Sequence, residues 1–287
     1  MDVPGSSSNG TTVGRLLTRV ETGLRRVGRR AMRVHPTLER SLATLWGQYA
    51  RAYLWYVRAR NAVVRPYGTG IDPLQVVRVD PDRIEHRTNS FEKSKFKYAG
   101  EVIDGDWDRV DRPFEETDVY RAYEAHFREG VPWTETAFFH RVVDQIAAGK
   151  TMWGCTTRAE FERRCRRIDR LYEIIRDHGY KSQRELLAEN APDPIEKRRS
   201  SLTERIVRDE VAVSVARDGE LLFSDGRNRL AIAKVLGLDE IPVWILVRHA
   251  DWQRFRAAVA DGERDIEELP ADVRDHPDIR PLLHDGA

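Results

Sequence analysis

Cysteine is nearly absent: Cys155 and Cys165 are the only two in 287 residues. A pair of thiols cannot support a disulfide framework for a chain of this length, and their scarcity fits a reducing compartment. No Cys-x-x-Cys or His-Glu-x-x-His spacing is present, so the sequence offers no zinc site, and no metal ligand is assigned. Long apolar runs are missing too. The most apolar-looking stretch, Leu42 to Val64, is interrupted by Gln48, Arg51, Arg58 and Arg60, which makes it a poor bilayer span. The first ten residues lack the apolar core of a secretory leader. The location expected from these absences is cytoplasmic.

Net charge is also small, +1 from 48 Lys+Arg against 47 Asp+Glu. That balance is a cancellation. Residues 1–66 hold twelve Arg and three acids, Asp2, Glu21 and Glu39, for +9. Residues 67–287 hold 36 basic and 44 acidic groups, for −8. A basic arm is joined to an acidic body.

Residues 1–13 are polar and rich in breakers, and a disordered tail is expected there. Leu16, Leu17, Val20, Leu24 and Val27 then recur at helical spacing. A second helix is expected from Pro36 to just before Pro66, with Leu42, Leu45, Trp46, Tyr49, Tyr53, Tyr56 and Val57 on its apolar face. Arginine interleaved with Trp and Tyr leaves three partners open for residues 14–66. They are the body or a second subunit in a homo-oligomer, a nucleic acid, and an anionic membrane surface.

The body opens with a strand pattern in Leu74 to Val79 and a turn at Asp80-Pro81-Asp82. Helices are expected over 134–148 and 157–178. Thr157 and Glu160 stand at capping-box spacing, and Gly179 is placed to stop the second helix. Residues 188–203 have loop composition. Asp104-Gly105-Asp106-Trp107-Asp108 lacks the spacing of a Ca²⁺ loop. It is either a turn with a packed Trp or a substrate or Mg²⁺ edge of the cleft, with Trp107 and Asp108 on it. His249, after the last strand, either packs or lines the same edge.

The most informative stretch is Glu210 to His249. Val211, Val213 and Val215 alternate as a half-buried strand, and Arg217-Asp218-Gly219-Glu220 makes a hairpin turn into Leu221-Leu222-Phe223. Asp225-Gly226-Arg227-Asn228-Arg229 follows, then a helix through Leu230, Ala233 and Leu236 that Gly237 ends, then an apolar strand from Ile241 to Val247. The basic cluster falls where a strand becomes a helix. Unsatisfied N–H groups and the positive end of the helix dipole collect at such a place, and arginine forks suit phosphate. Asp225 could cap the helix, orient a hydroxyl or hold a metal. The plain alternative is a capped helix whose arginines form surface pairs.

The run Asp225-Gly226-Arg227-Asn228-Arg229-Leu230-Ala231-Ile232-Ala233-Lys234, with Leu236-Gly237-Leu238 and Ile241-Pro242-Val243, resembles the ParB/sulfiredoxin superfamily, in its Asp-Gly-x-His-Arg-Leu variants. Leu171 to Gln183 is loosely similar to an upstream element of the same families. The resemblance covers about residues 165–250. It implies a box that binds nucleotide phosphates, as in CTP-dependent partition clamps, sulfiredoxins, a free serine kinase and proteins labelled nucleases. It places Gly226, Arg227, Asn228 and Arg229 on phosphate and Gln183 along the same pocket. It matches Glu210 to the acidic residue that kinase-like members use as base, with Asp225 beside it, and implies Mg²⁺ and a nucleoside phosphate as cofactors. Three departures stand out: Asn228 replaces the usual His, the sulfiredoxin cysteine is absent, and no helix-turn-helix is evident downstream.

The expected fold is therefore α/β, or α+β, with a small mixed sheet of the ParB/sulfiredoxin type and an N-terminal helical region. The expected parts are a basic arm (1–66), a wrapping region (67–164), the phosphate-binding domain (165–250) and an acidic tail (251–287). The leading function is a nucleotide-dependent phosphotransferase or nucleotide hydrolase. A ParB-like DNA-binding or nuclease-type protein and a membrane-peripheral accessory protein are the alternatives.

Overall fold

A computed structural model describes residues 48–61, 71–91, 95–191, 193, 201–265 and 267–284. Compactness divides the chain into residues 1–52 and residues 53–287. Of the first unit only 48–52 are described, and they are helical. The tail expected over 1–13, the helix expected over 14–33 and the start of the one expected from Pro36 lie outside the described residues.

Helix α1 covers 48–61. The centre of the larger unit is a five-stranded mixed sheet. Its strands are β1 (Val76–Val79), β2 (Glu101–Ile103), β3 (Val211–Val215), β4 (Leu221–Asp225) and β5 (Ile241–His249). The path runs β1-β5-β3-β4, with β2 also on β5. β5 is the axis: β3 lies parallel to it, with Val211 opposite Val243 and Val215 opposite Arg248. β1 pairs antiparallel with its first half and β2 parallel with its end. All nine β5 residues are buried, which explains why Ile241 to Val247 reads as an unbroken apolar run rather than an alternation. β3 and β4 form the expected hairpin. Gly219 holds its turn at φ 95, and a Cβ there would lie 2.6 Å from the Trp252 ring.

Helices wrap this sheet. They are α2 (Asp118–Glu129), α3 (Ala137–Ala147), α4 (Arg158–His178), α5 (Gln183–Ala188), α6 (Leu202–Asp209), α7 (Arg227–Leu236), α8 (Ala250–Ala260), α9 (Ala271–Arg274) and α10 (Arg280–His284). The capping box of Thr157 and Glu160 forms as expected at the start of α4, and Gly179 ends that helix at φ 78. A second box, Ser182 with Glu185, starts α5 and was not anticipated. Every residue of α7 from Arg229 to Val235 is buried. It packs on α2 and α4, so it shows no polar face in its middle.

The segment expected as an acidic tail folds instead. Asp278 is fully buried and collects Arg248 (Nε at 2.8 Å, Nη2 at 2.6 Å) and the Trp252 indole N–H at 3.0 Å. Arg256 donates to its carbonyl at 2.9 Å. One buried carboxylate thus ties the C-terminal residues to β5 and α8, a connection no local pattern announces. Among the described residues, no helix is long and apolar enough to cross a membrane.

Candidate functional site

The start of α7 is shaped by Gly226. It sits at φ 93, ψ 28, and a Cβ would come 2.7 Å from the Val211 Cα and 3.2 Å from its side chain. Only glycine lets the β4–α7 turn press onto the first residue of β3. Among the described residues no side chain caps this helix; the Arg229 N–H donates to the Gly226 carbonyl at 3.0 Å, and the two amides before it lie outside the helix's own hydrogen-bond ladder. The expected Asp225 cap takes another form: Oδ1 accepts from the Gly226 N–H at 2.7 Å, and Oδ2 is paired with the Lys95 ammonium. Burial works to raise the Asp225 pKa, but Lys95 and the Gly226 N–H hold it below the usual carboxylate value.

The three residues that follow have separate surroundings. Arg227 lies over the Trp153 ring, its guanidinium carbon 5.4 Å from the centroid. The Asn228 carbonyl oxygen accepts from the Tyr123 hydroxyl at 2.8 Å. Arg229 points inward, is 7% exposed and is paired with Asp193, itself buried at its side chain. Burial opposes its charge, yet Asp193, Tyr180 and Glu210 together raise its pKa. Arg229 is therefore an internal counter-ion, and of the two motif arginines Arg227 is the one nearer the surface.

Behind Arg229 stands Glu210, at the junction of α6 and β3 and 1% exposed. Its Oε2 accepts from the backbone N–H of Gln183, the first residue of α5, at 2.9 Å. Its Oε1 has no hydrogen-bond partner among the described residues. Burial pushes the Glu210 carboxyl up to about 7, against the opposing pull of the Gln183 N–H and Arg229. The Gln183 side chain is 0% exposed, and among the described residues neither polar atom of its carboxamide has a hydrogen-bond partner. Buried donors and acceptors left in this state cost free energy. Gln183, Glu210 and Arg229 come from three distant parts of the chain, and the fold brings them together.

Trp107, Asp108 and His249 are elsewhere. Glu210 and Gly226 meet at Val211, whereas Arg217 and His249 flank Val215 and Arg248, four residues further along the strands and roughly 13 Å away at 3.3 Å per residue. Asp108 accepts from Arg217 through its backbone N–H at 3.0 Å and its guanidinium at 2.8 Å. Burial would raise that carboxyl, and Arg217 instead holds it down at about 2. His249 donates from Nε2 to the Gly105 carbonyl at 2.9 Å, and its Nδ1 accepts the Asp251 N–H as the cap of α8. The Trp107 indole N–H donates to the Ile103 carbonyl at 3.0 Å. All three serve the fold at the far end of the sheet.

Models of protein families, curated proteins and solved structures compared with this chain match none of it.

Among the described residues, no group of three or more His, Cys, Asp or Glu is arranged to hold a metal ion. Asp225, the carboxylate nearest the start of α7, is engaged by Lys95 and its own turn.

Sequence reasoning missed Lys95, Tyr180, Asp193, Tyr123, Trp153 and Arg164. Tyr180 had a local signal, since it lies in the Gly-Tyr-Lys-Ser-Gln run leading to Gln183. Lys95 had none: it reaches Asp225 across 130 residues of sequence.

Proposed function

We propose that this chain binds a nucleoside polyphosphate at the start of α7 and uses Glu210 as the proton acceptor for phosphoryl transfer. The observation that carries the reading is Glu210 itself. It is a buried carboxyl poised near neutral pH, with one oxygen held by Gln183 N–H and the other unused, beside an unbonded carboxamide. A general base works best when its pKa lies near the working pH. The uncapped amides of α7 and the Arg227 fork supply the positive charge a phosphate needs.

In this scheme the acceptor is a hydroxyl or water that Gln183 orients. Its proton passes to Glu210 Oε1 as its oxygen bonds to the terminal phosphorus. The bond from that phosphorus to the bridging oxygen breaks, and the nucleoside diphosphate leaves with the bond pair. Arg229 and Asp193 hold the polar interior in place without touching the phosphates. The resemblance of residues 225–243 to the ParB/sulfiredoxin superfamily supports the same reading.

The test pairs two variants. Glu210→Gln should keep nucleotide affinity within about threefold and lose turnover by about 100-fold or more, the low end of a base's contribution. Arg227→Ala should weaken nucleotide binding. Full turnover by Glu210→Gln, or a wild-type protein that no nucleotide stabilises in a thermal-shift screen of ATP, ADP, CTP and GTP, would overturn the proposal.

A nucleic-acid contact through α1 is a second reading. Trp55 and Tyr56 stand 74% and 55% exposed beside Arg58, and stacking on aromatics with nearby cations suits single strands. Binding of single-stranded DNA that weakens with salt and is lost in Trp55→Ala, Tyr56→Ala would support it. Equal binding by that variant would remove it.

A further inference from the structure

Two guanidinium groups approach one indole beside the start of α7. The guanidinium carbons of Arg164, on α4, and of Arg227 each lie 5.4 Å from the Trp153 ring centroid, so they are separated by at most twice that distance. Trp153 is held at the tip of a tight hairpin. Met152 and Cys155 exchange backbone hydrogen bonds at 3.0 and 2.8 Å. Trp153 and Gly154, between them, both have positive φ, 55° and 73°. Such a tip normally takes Asn or Gly, because side chains avoid this backbone region. A tryptophan here is placed for its ring, which packs edge-on to Phe138 at 5.3 Å and presents itself to both arginines.

Arg164 has no ion pair among the described residues, and its Nε is buried without a hydrogen-bond partner. Burial is the main influence lowering its pKa, and the groups that act on it most strongly after that are Tyr123, Cys155, Arg167 and Cys165. Tyr123 feels both Arg164 and Arg227, which places the two cations in one neighbourhood, together with Asp169, a carboxylate that accepts from the Trp133 indole N–H at 2.6 Å and lies 3.2 Å from His126 Nε2. With Asp169 engaged by Trp133 and His126, two like charges on one aromatic ring, one of them without an ion pair among the described residues, suit an anion.

We infer that Arg164, Trp153 and Arg227 form a clamp for the polyphosphate chain of a nucleoside di- or triphosphate. Arg227 belongs to both the clamp and the start of α7, so the clamp extends that phosphate site toward α4. The identity of the ligand rests on the nucleotide reading above, while the anion chemistry stands on these three residues. Two forks spaced around one ring suit a chain of phosphates better than a single one, so a nucleoside monophosphate should gain little from Arg164.

The experiment titrates the full-length protein with inorganic tripolyphosphate, ATP and AMP. Binding is followed by calorimetry and by the Trp153 emission, isolated as the difference between wild type and Trp153→Phe. Tripolyphosphate and ATP should both perturb Trp153. Arg164→Gln should weaken both by about tenfold or more, as loss of a charge-assisted hydrogen bond implies, with AMP changed much less. Arg164→Lys, which keeps the charge, should retain more affinity than Arg164→Gln, and it guards against a folding defect in the neutral variant. Equal ATP affinity in wild type and Arg164→Gln would overturn the clamp and leave the nucleotide reading standing. Arg164-dependent binding of tripolyphosphate without ATP binding would keep the clamp and overturn the nucleotide reading. No binding of either by the wild type would overturn both.

Discussion

The backbone N–H of Gln183 donates to the Glu210 carboxylate at 2.9 Å, while the fully buried Gln183 carboxamide has no hydrogen-bond partner among the described residues. One residue thus holds the carboxylate with its main chain and keeps its side chain in reserve. The arrangement joins the first turn of α5 to the first residue of β3, and it leaves one Glu210 oxygen available at the centre of the polar cluster.

Because burial raises Glu210 to about 7 from 4.5, the folded protein binds a proton there that the unfolded chain has already released. Stability attributable to this group is therefore full below the unfolded value and falls as pH rises from about 4.5 through 7. The loss at pH 8 is on the order of 3 kcal/mol at 1.36 kcal/mol per pH unit. Glu210→Gln should be more stable than wild type at pH 8, with the advantage fading toward pH 5. Denaturant titrations at the two pH values check this, and an equal difference at both would contradict it.

The two motif arginines should separate by stability. Arg229→Ala leaves the buried Asp193 carboxylate without its partner and should cost about 3–5 kcal/mol. Arg227→Ala loses a cation–π contact worth about 0.5–1 kcal/mol and should melt close to wild type. Thermal unfolding of the two variants side by side decides whether the motif divides into a structural and a ligand-facing arginine.

Two glycines of α7 make a matched pair. Gly226→Ala meets both a positive φ and the Val211 backbone, so it should cost more than about 2 kcal/mol. Gly237→Ala, at φ 62 with open space around it, should cost about 1–2 kcal/mol from conformation alone. Similar losses would mean that the turn at Gly226 relaxes away from β3.

Removing the carboxylate of Asp278 strands Arg248 and Arg256 in the interior. Asp278→Ala should destabilise by about 3–5 kcal/mol. Burial alone would raise this carboxyl, and Arg248 and Arg256 bring it down to about 2 instead. Its contribution is accordingly present above about pH 4 and lost as pH falls toward 2. Hydrogen exchange should show α8 opening early in the variant, and protection equal to wild type would argue against the tie.

The sequence by itself determined the pieces whose information is local. The valines of β3, the Asp-Gly hairpin, the box at Thr157 and Glu160, and the helix between Gly226 and Gly237 are each specified by residues within a few positions of one another. The start of α7 was legible for the same reason, since a glycine followed by arginines at a strand-to-helix junction is a local pattern. Residues 251–284 looked like a tail because their apolar anchors, Trp252, Val259, Leu269 and Ile279, are sparse among charged residues, and the buried Asp278 finds Arg248 on β5, 30 residues earlier. Tertiary structure alone decided that Arg229 faces inward to Asp193 while Arg227 faces Trp153, that Glu210 is buried deeply enough to titrate near 7, and that Trp107, Asp108 and His249 belong to the far end of the sheet. Those outcomes depend on burial and on distances between residues far apart in the chain. A charged side chain carries no mark of its eventual partner until the backbone has folded around it.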